Sequence, residues 1–174
     1  MGLLARVVAR FTGRDELPAG FGGRLEPEER VLAVGGIAGG GHVVATSWGV
    51  WLPGDAPRRI GWHLISKATW SGGTIVLVEA EESGDAGGAM LIVDRPPRPL
   101  RLAEPGRVPQ VVHERVTGSI SFRHHRELPG GGAWFLQRKV PGRDGTVLQV
   151  RADPGTDEAV VRQVAADVAR KLAP

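Results

Sequence analysis

The chain has 174 residues, 41% of them hydrophobic and 24% charged, with a net charge of +3 and no cysteine. That is the composition of one globular domain, or of a small domain with an added unit, and it excludes disulfide scaffolds and cysteine-based metal centres. The isoelectric point near 10.1 reflects nineteen Arg against three Lys with no Tyr, and acids and bases alternate instead of forming the basic stripe of a nucleic-acid binder.

Residues 3–11 have the spacing of a short amphipathic helix: Leu3, Leu4, Val7, Val8 and Phe11 on one face, Arg6 and Arg10 on the other. The segment is too short and too Arg-interrupted for a secretory signal, and Arg6 stands where a myristoylation motif needs Ser or Thr. No apolar run approaches the roughly 18 residues that span a bilayer, so the expected location is the cytoplasm. Residues 12–27 are turn-rich, and residues 1–26 form a leading helix and surface loop.

Seven short strands follow, rich in Val, Ile, Leu and Trp and punctuated by Gly, Asp, Ser and Pro. They are expected at Arg30–Ile37, His42–Thr46, Gly49–Pro53, a kinked stretch Arg58–Trp70, Thr74–Ala80, Ala89–Asp94 and Pro99–Ala103. Val108–Gly118 reads as a helix, with Pro109 in its first turn and an apolar stripe of Val108, Val111, Val112 and Val116. Three strands come next, Ser119–Leu128, Ala133–Val140 and Thr146–Ala152, turned by Leu128–Gly132 and Pro141–Gly145. A last helix covers Asp157–Leu172, with Thr156 as its expected N-cap.

The hairpin GGHVVATSWGVWL, the segment RIGWHLISKATW behind it, and the spacing of the strands up to the helix at 108–118 resemble the PH-like (pleckstrin-homology or GRAM-type) barrel. With stretches such as VHERVTGSISFRHHREL and LQVRADPGTD, the whole chain resembles actinobacterial PH-like proteins that carry a C-terminal βββα appendage. The resemblance implies an α+β fold: a small barrel of about seven strands capped by a helix over residues 27–118, then the appendage over 119–174, packed as one compact unit. It implies no activity. PH modules that bind phosphoinositides place Lys and Arg around the first hairpin loop; here Val31 to His42 has none, and phosphoinositide binding is not expected.

The chemistry-bearing residues are sparse. The Gly-rich loop 35–42 has His42 and Val43 where a phosphate loop needs Lys and Ser or Thr, and it leads into a strand. Adjacent His124 and His125 on a strand point to opposite faces and do not chelate one ion; His113-Glu114 lacks a second His one turn on. Glu79, Glu81 and Glu82 read as a solvated hairpin tip, and the five Trp as core. No catalytic residue, metal or cofactor is assigned.

Three functions remain. The first is a non-enzymatic module that binds a protein or peptide through an open sheet edge, with an exposed face expected from Arg123, His125, Phe135, Gln137, Lys139, Gln149 and Arg151. The second is a peripheral membrane adaptor that uses Leu3, Leu4, Arg6, Val7, Arg10, Phe11 and Arg14; the same segment could instead dock on its own fold or on a second copy of the chain in a homo-oligomer. The third and weakest is an enzyme or metal protein built around His113, Glu114, His124 and His125.

Overall fold

A computed structural model describes residues 15–174; the expected helix 3–11 and the contact residues Leu3, Leu4, Arg6, Val7, Arg10, Phe11 and Arg14 lie outside the described residues. The fold is α+β. Among the described residues, eleven strands form one continuous hydrogen-bonded sheet, with two α-helices. The strands are β1 Val31–Ile37, β2 His42–Thr46, β3 Gly49–Leu52, β4 Arg58–Gly61, β5 Ile65–Ser71, β6 Thr74–Ala86, β7 Ala89–Asp94, β8 Arg98–Glu104, β9 Ile120–Leu128, β10 Gly131–Lys139 and β11 Thr146–Ala152. The helices are α1 Val108–Ser119 and α2 Glu158–Leu172.

The sheet runs β4-β3-β2-β1-β8-β6-β7-β11-β10-β9, with β5 paired to β6 off this path. It ends at β4 and β9, so it is not the closed barrel the sequence suggested. The stretch Arg58–Trp70 explains part of this. It is two strands broken by a 3-10 turn at Trp62–Leu64, and β5 then turns to pair with β6 instead of continuing beside β4. The other part is β6. It runs 13 residues to Ala86, six beyond the expected end. Its first half pairs with β5 and β8, its second half with β7. The strand β7 then pairs in parallel with β11 at Met90 and Leu91, which joins the last three strands to the same sheet.

Glycine permits two close approaches on this path. A Cβ at Gly49 would lie 2.2 Å from the Ile60 carbonyl oxygen, so β3 and β4 could not pair there with any other residue. Gly87, at φ +61°, turns β6 into β7 against α2, where a Cβ would already touch Ala166. The small residues Ala86 and Ala89, both buried, bring the helix onto the hairpin. The expected acidic hairpin tip is therefore strand: Glu79 bonds Arg58 at 2.6 and 2.8 Å, and Glu81 bonds Arg95 at 3.0 Å.

Two apolar clusters result. The first packs Ala33, Val43, Val50, Ile60, Trp62 and Leu77 under the α1 stripe Val108, Val111, Val112 and Val116. The second packs Leu91, Phe135, Leu148 and Val150 under Val161 and Ala165 of α2. The N-cap of α2 is Asp157, whose carboxylate accepts from the Ala159 and Val160 amides at 2.9 and 3.2 Å. Thr156, the expected cap, instead accepts from Gly132 N and donates to backbone carbonyls, tying the 128–132 turn to the helix.

A buried polar junction fastens the clusters together. Arg138 is 2% exposed. It donates to the Trp62 and Ile65 carbonyls at 2.7 and 3.1 Å and to the Ser119 hydroxyl at 3.0 Å. Fully buried Gln149 donates to the His63 carbonyl at 2.8 Å. At the other end of the sheet, the buried Glu29 carboxylate accepts from Thr46 Oγ1 (2.6 Å), Trp51 Nε1 (3.0 Å) and Glu26 N (3.0 Å), and is ion-paired with Arg59. The Arg59 guanidinium lies 5.1 Å from the Trp48 ring centre and 5.5 Å from that of Trp51.

Candidate functional site

The alternation of β9 presents two different surfaces. Phe122, His124 and Arg126 stand on the side facing α2; Arg123 and His125 stand on the other. No strand among the described residues pairs with the outer edge of β9. An exposed edge strand carries a row of free backbone donors and acceptors, and it templates the addition of another strand.

Beside that edge lies an apolar groove of about 550 Å³. Its floor is Phe135 and Leu148, both buried, and its walls are Phe122 from β9 and Val168 and Leu172 from α2. The helix makes this groove by leaving the sheet along its length. Its stripe goes from fully covered at Val161 and Ala165, through half-buried Val168, to Leu172 at 50% exposure. Phe122 opposite is 52% exposed. Two large apolar side chains flanking one groove are what distinguishes a binding surface from scattered apolar exposure. The rim is basic: His124, Arg126 and Lys171 line it, with no carboxylate among the described lining residues.

The seam between β7 and β11 and the face of the sheet away from α2 have another character. These strands pair only over Met90–Leu91 with Gln149–Val150, and beyond this short pairing lies a cleft of about 720 Å³ lined from both sides, by Trp134 and Arg151 and by Val161 and Arg162 of α2. Its polar groups are engaged with one another. His125 Nε2 lies 2.6 Å from Asp153 Oδ2, Arg151 donates to Asp94 at 3.0 Å, and Ser66 donates to the same carboxylate at 2.5 Å. Arg123 sits 4.7 Å above the Trp134 ring centre. The His125–Asp153 pair could orient a base, but the Thr156 hydroxyl in the same cleft is already committed to backbone groups.

The expected exposed face is thus divided, and part of it is buried. Arg123, His125, Gln149 and Arg151 share one side of the sheet; Phe135 and Gln137 lie on the other. Phe135 is 3% exposed and Gln149 fully covered, because α2 packs on the first and the Trp62–Leu64 turn on the second. Lys139, at the end of β10, lines a depression with Glu114 and Ser119. The histidines are dispersed: His113 lines a groove beside α1, His124 the α2 groove, and His125 faces away from both. No cluster of three metal-ligating side chains occurs among the described residues. Trp51 and Trp62 are core, as read, whereas Trp70 is 42% exposed.

His63 adds a pH term to the junction. Burial, with the positive charges of Arg138 and Arg143, lowers its pKa to about 4. A base held neutral in the fold but protonated in the unfolded chain destabilises the fold between the two pKa values. Stability is therefore expected to be complete above about pH 6.5 and to fall as pH drops towards 4, by about 1–2 kcal/mol after discounting for solvent screening at this partly exposed ring. Urea unfolding at pH 7 and pH 4.5 measures the loss; His63→Asn should remove most of the slope.

No helix among the described residues is long and apolar enough to cross a membrane. No family model, curated protein or solved structure matches the chain.

Proposed function

We propose that the protein is a non-enzymatic interaction module that takes up an extended, acidic–apolar peptide along β9. The observation that carries this reading is the conjunction of an unpaired edge strand with an apolar, basic-rimmed groove on its α2 side. Strand addition supplies main-chain hydrogen bonds and therefore affinity; the groove supplies side-chain selection. On that side Phe122 and Arg126 are four residues apart. A cross-strand partner is best matched by an apolar residue opposite Phe122 and a carboxylate opposite Arg126, within reach of Lys171.

We further read residues 27–118 as a PH-like module. The run β4-β3-β2-β1-β8-β6 with β5 on β6, followed directly by α1, supports a strand-rich unit capped by its C-terminal helix. The insertion of β7 between β6 and β8 in sequence, and its pairing with β11, is where the chain departs from that pattern.

The test is selection from a displayed library of random extended peptides on the full chain, followed by binding to Phe122→Glu and Leu172→Glu variants. Both side chains are half exposed, so the variants should stay within about 0.5 kcal/mol of native stability. Enriched peptides are expected to carry acidic and large apolar residues, and to lose affinity roughly 30-fold or more in either variant, the scale of a central contact. Peptides with no acidic bias, or equal binding to both variants, would exclude this site.

A further inference from the structure

The strand β5 has an open side of its own. It pairs with β6 alone, so its outer edge has no strand partner among the described residues. Ser71 and Thr74 close the turn Gly72–Gly73, and both glycines have positive φ, as a two-residue hairpin turn requires. The closing pair of such a turn is hydrogen-bonded, and alternation then aims the N–H and C=O of Ala68 and Trp70 away from β6.

A groove of about 610 Å³ lies beside this edge, between β5 and the first two turns of α1. Its floor is Ile75 and Val112, both buried, and its walls include Trp70 and Pro109. Ala68 and Trp70 stand two residues apart on one face of β5. Ala68 packs against the first apolar cluster, and its small side chain leaves room above it. Trp70 is 42% exposed, an unusual state for an indole beside so much apolar surface. An edge strand, one large exposed apolar side chain and a flanking helix thus occur together twice in this fold, and the two grooves share no lining residue.

We propose that the outer edge of β5 is a second strand-addition site, and that its occupant is an extended acidic–apolar segment of another protein. Charge selects this occupant. The strand β5 carries no acidic residue, and Lys67 is exposed on it with no ion pair among the described residues. Arg107 and His113 line the groove, and no carboxylate does. Successive residues of an incoming strand alternate between faces. One that places a large apolar side chain opposite Ala68, over Ile75 and Val112, therefore places its neighbour opposite Lys67, where a carboxylate is the matched partner. A second copy of the chain meeting this edge with its own β5 would bring its Lys67 to the same place, and like charges across a pair are unfavourable. The main-chain bonds supply affinity and the groove supplies selection. The site stands whether or not β9 takes a strand.

The test uses the full chain carrying Phe122→Glu and Leu172→Glu, so that the β9 groove is disabled and a failure there does not affect the result. A displayed library of random extended peptides is selected on this protein. Enriched peptides are expected to carry a large apolar residue next to an acidic one, and to lose affinity roughly 30-fold or more when Trp70→Glu is added, the scale of a central contact. A second measurement leaves Trp70 intact. At about ten times its dissociation constant, a selected peptide should slow amide exchange at Ala68 and Trp70 by about tenfold, and leave Ile120–Leu128 unchanged. Three results overturn the proposal: no peptide enriched over the protein with Trp70→Glu added, affinity indifferent to that change, or no protection at Ala68 and Trp70 at saturating peptide.

Discussion

Arg138→Ala is expected to lower the free energy of unfolding by about 3 kcal/mol. The guanidinium fills the junction between the two apolar clusters, and its donors satisfy the Trp62 and Ile65 carbonyls and the Ser119 hydroxyl. Removing it takes a charge-assisted bond from each of those buried groups and opens a void, although the Trp62 carbonyl still accepts from the Ile65 amide and the Ser119 hydroxyl still donates to the Val116 carbonyl. Relief from holding a buried charge offsets part of this. Burial, with Arg151 nearby, already lowers the guanidinium pKa to about 10, so it remains charged at neutral pH. Lysine is no substitute, because one ammonium does not reproduce the fork that meets three acceptors; Arg138→Lys should lose about 2 kcal/mol. Urea denaturation midpoints give both numbers, with Arg126→Ala on the groove rim as the near-neutral reference. A loss below 0.5 kcal/mol in Arg138→Ala, the range of surface changes, would mean the junction does not hold the clusters together.

Glu29→Ala should cost a similar amount, about 3 kcal/mol, at the far end of the sheet. Burial of the carboxylate raises its pKa, but the bonds from Thr46, Glu26 and Trp51 and the charge of Arg59 outweigh that and hold it below the ordinary carboxylate value. Removal orphans the Trp51 N–H, leaves the Thr46 hydroxyl only the longer bond to the Gly49 carbonyl, and leaves Arg59 stacked on two indoles without its counter-charge. Glu29→Gln should be milder, about 1–2 kcal/mol, since it keeps the volume but turns one acceptor into a donor among donors. The pH dependence separates the two positions. A carboxylate with a depressed folded pKa contributes its stability fully above the unfolded value of 4.5 and loses it as pH falls through the folded value. The Glu29 contribution therefore fades only below about pH 4.5, whereas the His63 loss begins near pH 6.5. Unfolding free energies followed from neutral pH to below pH 4.5 should show the His63 loss first and a carboxylate loss after it, the latter reduced in Glu29→Ala, where Glu79, also held low by Arg58, supplies the remainder.

Element positions were largely legible because the sequence punctuates them locally. The strand starts at His42, Ala89 and Thr146 and the helix from Val108 follow from Gly, Pro and apolar periodicity alone. What could not be read was pairing. Whether Arg58–Trp70 bends back beside β4 or turns toward β6 depends on a 3-10 turn whose residues, Trp-His-Leu, carry no breaker. The extension of β6 through Glu-Ser-Gly-Asp-Ala has a turn-like composition, and it holds because α2, more than 70 residues later, needs small side chains beneath it. The same non-local packing decided the candidate site. His124 and His125 were placed on opposite faces by alternation, as the structure has them. The burial of Phe135 and Gln149, however, depends on α2 and on the Trp62–Leu64 turn. The groove is set by where α2 leaves the sheet, and the exposed Leu172 at the end of an otherwise regular stripe was its only trace in the sequence.

The central claim is that the outer edge of β9 accepts a strand. The most direct measurement is residue-resolved amide hydrogen exchange of the full chain, with and without a synthetic peptide carrying Leu and Glu four positions apart in a Thr-rich background. At about ten times its dissociation constant, such a peptide should slow exchange at alternate amides of Ile120–Leu128 by about tenfold, and leave the opposite edge, Arg58–Gly61, unchanged. Unaltered exchange along β9 at saturating peptide, or protection spread equally over both edges, would contradict the account.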